Sequence, residues 1–198
     1  MSQRCATVKR ATHETQIEVS LNLDGQGDCS CEVDVGFLKH MIELFARHAR
    51  IDLEIRAQGD LEVDDHHLVE DVAIVLGRAL KEALGEKKGI SRYGFVLLPM
   101  DEVLVASAVD LGGRFSFCSD YSPKREKVGD LSTELIHHFF RSLAVEAMLN
   151  LHFRFLYPGE NEHHRAEAMF KGFARSLRMA MHLDPTQEDE IPSTKGVL

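Results

Sequence analysis

The sequence predicts an α+β sandwich built from two similar halves, with two four-stranded sheets enclosing a layer of four helices. Three observations predict it. The pattern His66-His67-Leu68-Val69-Glu70 returns as His163-His164-Arg165-Ala166-Glu167. A lone histidine precedes each copy at nearly the same offset, His40 in one half and His138 in the other. Each half also passes from β-like runs to helical periodicity, to a short β-like run, and back to helical periodicity. Self-similarity of this kind marks a duplicated unit.

Strand-like segments at 6–10, 16–23 and 29–35 open the first half. Gly36 then starts a helix that places Phe37, Leu38, Met41, Leu44 and Phe45 on one face. Residues 52–59 alternate with period two and end at Gly59-Asp60, which reads as strand and turn. Asp64 or Asp65 caps a second helix that runs to about Leu84 and stops at Gly85. The second half repeats the order. Strands are expected at 93–98, 102–111 and 114–119, a helix at about 132–149, a strand at 151–155, a turn at Pro158-Gly159 and a helix at about 161–182. The units are therefore 1–90 and 91–184, and the polar, aperiodic 185–198 is expected to be a mobile tail.

With 198 residues and 44% apolar content, the chain can bury one good core or two small ones. A net charge of −9 without a basic patch argues against general binding to a nucleic-acid duplex. No apolar run approaches the roughly eighteen residues of a membrane span, and the first residues lack a signal peptide's apolar core. A cytoplasmic location is expected. Cys5, Cys29, Cys31 and Cys118 lack paired CxxC spacing and read as reduced thiols.

Neutral imidazole with carboxylate is the donor set that borderline divalent metals prefer. On a helix His66 and Glu70 point the same way, whereas His67 is turned by about 100°. One helical turn can then offer imidazoles to two different metals, and His163, His164 and Glu167 repeat the arrangement. With His40 and His138, the donors suffice for two sites of three histidines and one glutamate each. Such sites leave positions open for substrate, as catalytic metals do. Either motif alone could be a solvent-facing histidine pair at an acidic helix start. The matched copies and offsets speak against that. His13, His48, His137, His152 and His182 have no such pairing.

Further stretches agree with these motifs: Arg10-Ala-Thr-His-Glu14-Thr, Asn22-Leu-Asp-Gly25, Gly36-Phe-Leu-Lys-His40-Met, the run from Gly59 to Asp71, Met100-Asp-Glu102, Leu111-Gly-Gly-Arg114, His138-Phe-Phe-Arg-Ser142, the run from Gly159 to Lys171, and Pro192-Ser-Thr-Lys-Gly196. Over nearly its full length the chain resembles the imidazoleglycerol-phosphate dehydratases of histidine biosynthesis. The resemblance implies a duplicated unit like domain 2 of ribosomal protein S5. It implies two Mn²⁺ per active site, held by His40, His66, His67, Glu70, His138, His163, His164 and Glu167. It also implies trimers that assemble into a 24-mer, with active sites shared between subunits. Arg92, Arg114, Lys171, Ser193 and Lys195 match phosphate-binding positions, and the tail is expected to close over the phosphate. Glu14 and Asp101 match positions that contact the diol or move protons. Glu14 is the first choice of acid–base residue, with Glu70 or Glu167 as the alternative. The reaction implied is loss of water from D-erythro-imidazoleglycerol phosphate to give imidazole acetol phosphate, through a substrate imidazolate bound to both metals.

The chain departs from the family pattern at Lys39, where an Asp is usual, at Leu44, where a Gln is usual, and at Glu32-Val33-Asp34. Lys39 removes a carboxylate next to His40 that would orient a ligand, and Glu43 is the candidate to replace it. The alternative reading is therefore a non-catalytic, metal-dependent assembly paralogue. A dinuclear hydrolase would require more carboxylates than the two glutamates supplied. The sequence leaves Mn, Zn, Fe and Co open.

Overall fold

A computed structural model describes residues 4–187, 190–196 and 198; of the expected tail, residues 188, 189 and 197 lie outside them, as do residues 1–3 of the first unit. Alternating burial builds the first sheet from β1 (Cys5–Ala11), β2 (Thr15–Asn22), β3 (Cys29–Val33) and β4 (Asp52–Gly59). Its order is β1-β2-β4-β3, antiparallel except for the β3/β4 pair. The second sheet repeats this with β5 (Tyr93–Met100), β6 (Val103–Asp110), β7 (Ser116–Ser119) and β10 (Asn150–Tyr157), in the order β5-β6-β10-β7. The β7/β10 pair is again the parallel one.

Four helices fill the space between the sheets: α1 (Gly36–Ala49), α2 (His66–Leu84), α3 (Glu134–Ala147) and α4 (Glu162–Ala180). α2 lies on β1 and β2, and α4 lies on β5 and β6. The helices also pair across the repeat, α2 with α3 and α1 with α4. Phe45 of α1 stacks on Phe173 of α4 with ring centroids 5.4 Å apart, and Phe140 of α3 meets Phe170 of α4 at 4.6 Å. The two repeats thus share one buried core rather than holding one each. Two glycines permit close approach. A Cβ on Gly77 of α2 would lie 2.7 Å from the Leu143 carbonyl of α3, and one on Gly94 of β5 would lie 1.8 Å from the Ser176 carbonyl of α4.

One element escapes the sequence reading. Between β7 and α3 the chain forms a small hairpin, β8 (Lys127–Val128) and β9 (Leu131–Ser132), whereas the equivalent link from β3 to α1 is only residues 34–35. The hairpin turn supplies Asp130, whose carboxylate accepts from Gly36 N at 2.6 Å and Phe37 N at 2.9 Å. It therefore caps α1 from the other half of the molecule. At the start of α2, Asp64 accepts from His66 N at 2.8 Å, while Asp65 turns to Ser132 N at 2.6 Å and Ser132 Oγ at 2.8 Å. The described tail residues lie across the junction of the two units. Gly89 N donates to Glu190 O at 2.9 Å and Arg92 Nη1 to Pro192 O at 2.9 Å.

Candidate metal centre

Each motif helix lies on the sheet of its own half, and its first turn carries the histidines. His66 and Glu70 of α2 meet His138 of α3, with His138 Nε2 at 2.8 Å from Glu70 Oε1 and His66 Nε2 at 4.0 Å from Oε2. His163 and Glu167 of α4 meet His40 of α1, with His40 Nε2 at 2.9 Å and His163 Nε2 at 3.2 Å from Glu167 Oε1. In each triad the three donor atoms lie within 4.8 Å of one another. Each triad is crossed, since the lone histidine comes from the half that does not supply the motif. The cross-pairing of α2 with α3 and of α1 with α4 causes this.

The second histidine of each motif leaves its own triad. His67 Nδ1 lies 3.1 Å from each oxygen of Asp60, and its Nε2 is 3.9 Å from Glu14. His164 Nδ1 lies 2.8 Å from Glu102 Oε2, and its Nε2 is 3.3 Å from Asp101. One chain thus gathers two histidines and one glutamate at each triad, and the third imidazole of each expected site points away from it. These acids raise the pKa of both histidines: Asp60 first for His67 and Glu102 first for His164. Asp101, Glu102 and His164 also form a group whose donor atoms lie within 4.8 Å of one another.

The two glutamates sit in different surroundings. Glu167 is 8% exposed, against 36% for Glu70, and Lys171 donates to it at 2.7 Å. Burial pushes the Glu167 carboxyl up, but the bonds from Lys171, His40 and His163 outweigh it and hold the pKa at about 2. The position equivalent to Lys171 on α2 is Ile74. Phe37 closes one side of the α4 triad, its ring edge-on to His163 at 5.0 Å. The acid bonded to His40 is Glu167, at 2.9 Å, and not the expected Glu43.

The phosphate candidates divide into two places. Lys171 Nζ reaches Met100 Sδ at 3.2 Å, at the far end of β5, beside the α4 triad. Arg92 precedes the start of β5, where Asp110 accepts from it at 2.8 Å, Pro192 of the tail accepts at 2.9 Å, and Tyr93 lies under its guanidinium at 4.6 Å. Ser193 and Lys195 follow on the tail, and Arg114 follows Gly113, which approaches Leu198. The eight residues of β5 separate the two places by roughly 23 Å. His48 and His137, which have no role in the triads, have pKa values lowered chiefly by burial. Asp60 and Glu102 are the site residues that spacing arguments missed, because a bond across a turn leaves no periodic trace.

Residues 33–177 match the family imidazoleglycerol-phosphate dehydratase. The imidazoleglycerol-phosphate dehydratase of Rhodopirellula baltica is 50% identical over 197 residues, covering all of this chain and 96% of its own. That of Chromohalobacter salexigens is 49% identical over 198 residues and the whole of both chains. The crystal structure of the Staphylococcus aureus enzyme superposes with a TM-score of 0.82 at 39% identity, over 91% of this chain and 99% of its own. The Pyrococcus furiosus structure, solved in complex with (S)-C348, gives 0.81 at 34% identity, over 96% and 100%.

Proposed function

The chain belongs to the imidazoleglycerol-phosphate dehydratase family, a hydro-lyase of histidine biosynthesis, and from that premise we propose how its own residues divide the work. The observation that carries the reading is the pair of crossed triads, each two imidazoles and one carboxylate converging on one point. Nitrogen and oxygen donors in that ratio, partly open to solvent, fit a borderline divalent cation with vacant positions for substrate. His66, Glu70 and His138 would hold one ion, and His40, His163 and Glu167 the other. His67 and His164 add the third imidazole of each site. Mn²⁺ is the ion proposed. When bound, divalent ions would supply positive charge that makes the ring N–H of a substrate imidazole easier to lose, and the deprotonated ring can act as an electron donor.

The remaining steps fall to this chain's carboxylates and cations. Glu14 and Asp101 come from the equivalent turns β1–β2 and β5–β6 and stand at the outward nitrogens of His67 and His164. Glu70 and Glu167 are held by their triads, which leaves Glu14 as the group to take the C2 proton and Asp101 to contact the diol or help the hydroxyl leave. Lys171, at the triad, and Arg92, Arg114, Ser193 and Lys195, at the start of β5, bind phosphate, with the tail closing on it.

Because Arg92 and the tail residues lie roughly 23 Å along β5 from the α4 triad of their own chain, one active site needs residues from more than one copy. The outward turn of His67 and His164 supports the same reading. So does the outer face of the second sheet, where Tyr93, Phe95 and Leu97 are 56%, 70% and 56% exposed, an apolar row that a further copy would cover. These features support a homo-oligomer, and trimers assembling into a 24-mer are the form that the family resemblance implies. Among the described residues no helix is long and apolar enough to cross a membrane, and the four free thiols suit the cytoplasm.

Nothing in these findings favours a non-catalytic assembly paralogue. Lys39, which raised it, lines a groove with Glu32, Asp34 and Arg56 rather than the triad of His40. Manganese-loaded protein incubated with imidazoleglycerol phosphate is expected to release imidazole acetol phosphate, and a chelator to stop it. Intact metal content and assembly without product would overturn the catalytic reading.

A further inference from the structure

We infer that Asp60 and Glu102 are positioning residues, one for each second histidine of the repeated motif, and that they turn Nε2 of His67 and His164 outward as metal donors. The inference rests on the metal reading above. An ionised carboxylate only accepts hydrogen bonds, so the Nδ1 atoms at 3.1 Å from Asp60 and 2.8 Å from Glu102 carry the hydrogen. In the neutral ring the lone pair is then on Nε2. The other motif histidines behave differently: His40, His138 and His163 turn Nε2 itself to the glutamate of their triad.

The origin of the two acids carries the argument. Asp60 follows β4, on the way to α2. Glu102 lies in the β5–β6 turn. These positions are not equivalent in the repeat. The stretch after β10 that corresponds to Gly59-Asp60 holds Gly159-Glu160, but there it is the Glu160 amide that takes part, donating to Glu102 Oε1 at 3.3 Å, while the acid at His164 Nδ1 is Glu102. The β1–β2 turn that corresponds to Glu102 supplies Glu14, which faces Nε2 of His67 instead. Duplication alone would leave equivalent acids bonded to equivalent ring atoms. Two unrelated positions that deliver a carboxylate to the same ring atom show that the bond itself is needed in both halves. The need is chemical, because the wrong tautomer would present N–H to a cation where a lone pair must be. Glu102 has a second task. Its Oε1 accepts from Asn161 N at 3.0 Å and Glu160 N at 3.3 Å, which ties the turn to the start of α4 and keeps His164 in place.

The test combines a metal-free signature with a metal titration. Histidine-selective ¹⁵N NMR of the chelated protein at alkaline pH is expected to show His67 and His164 as Nδ1–H tautomers. Asp60→Ala and Glu102→Ala should each lose that signal at one ring. Manganese affinity measured by calorimetry should fall about tenfold or more in each variant. Glu102→Gln, which keeps an acceptor for the α4 start, separates ring orientation from folding, and it should lose affinity while its chelated form melts like the wild type. Nε2–H tautomers in the wild type, or unchanged affinity in the folded variants, would overturn the inference. If the wild type took up no manganese, the metal reading would fall, whereas the Nδ1–H signals would still support the orienting role of the two acids.

Discussion

The two halves share a strand order, a helix pair and a histidine motif, yet the second half holds its copy more firmly than the first. Glu167 is buried and bonded to Lys171, whereas Glu70 is a third exposed and has Ile74 where that lysine would be. The second half also carries the extra hairpin of 127–132, which reaches across to cap α1 and bind Asp65. The outer faces of the sheets diverge too. The first is polar, with Lys9 paired to Glu18 at 2.9 Å and Arg56 to Glu54 at 2.6 Å, while the second shows Tyr93, Phe95 and Leu97. Duplication fixed the position of the donors, and the surroundings were then free to specialise.

The sharpest test of this asymmetry is where helix meets sheet. Gly94 and Ala6 occupy the same place in the repeat, second in β5 and second in β1. Only in the second half does the helix come so near that a Cβ would lie 1.8 Å from a backbone carbonyl. Gly94→Ala should therefore cost roughly 3 kcal/mol or more, because backbone on both sides must move. Ala6→Gly should cost under about 1 kcal/mol, through chain entropy alone. Urea unfolding of the chelated proteins measures both. Equal losses would mean that the two helices sit equally close to their sheets.

Much of this frame was legible in the sequence. The predicted strand 52–59 and the helix stop at Gly85 coincide with β4 (Asp52–Gly59) and the end of α2, because Gly59-Asp60 and Gly85 punctuate strong periodic runs. The expected sheets and helices were legible for the same reason. The hairpin was not, since strands of two residues are too short to show alternation. Nor was the crossing of the triads. Sequence order sets His40 beside the motif of its own half, whereas the packing of α1 on α4 hands it to Glu167. Spacing identifies donors along a chain, but the partner of each donor is decided by which helices touch.

A smaller effect separates the two glutamates. Glu167→Gln leaves the Lys171 ammonium, largely buried, without its carboxylate, and should destabilise the metal-free protein by about 1–3 kcal/mol. Glu70→Gln removes a contact open to water and should cost under about 1 kcal/mol. Each substitution should also lower the manganese bound per chain, measured by elemental analysis. The pH dependence adds a sign. Glu167 is held at about 2, below its usual 4.5. Its contribution is complete above the unfolded value and is lost as the pH falls from about 4.5 toward 2. The acid limb of thermal stability in that window should be shallower in Glu167→Gln than in the wild type. Identical limbs would show that the buried glutamate gains nothing from its three partners.

The smallest expected effect concerns the hairpin that only the second half possesses. Asp130 satisfies the first two amides of α1, and those amides have no side-chain cap from their own half, since Val35 stands at the N-cap position. Burial opposes ionisation of Asp130, yet the bonds from Phe37 and Gly36 lower its pKa overall. Asp130→Ala should then cost about 1 kcal/mol, the usual value of a lost cap. Because α1 carries His40 four residues into the helix, the loss should fall on the triad of α4 and leave that of α2 intact. Manganese titration should show one site weakened and the other unchanged. Equal weakening of both sites would mean that the hairpin steadies the whole helix layer, and the division of labour between the halves would have to be redrawn.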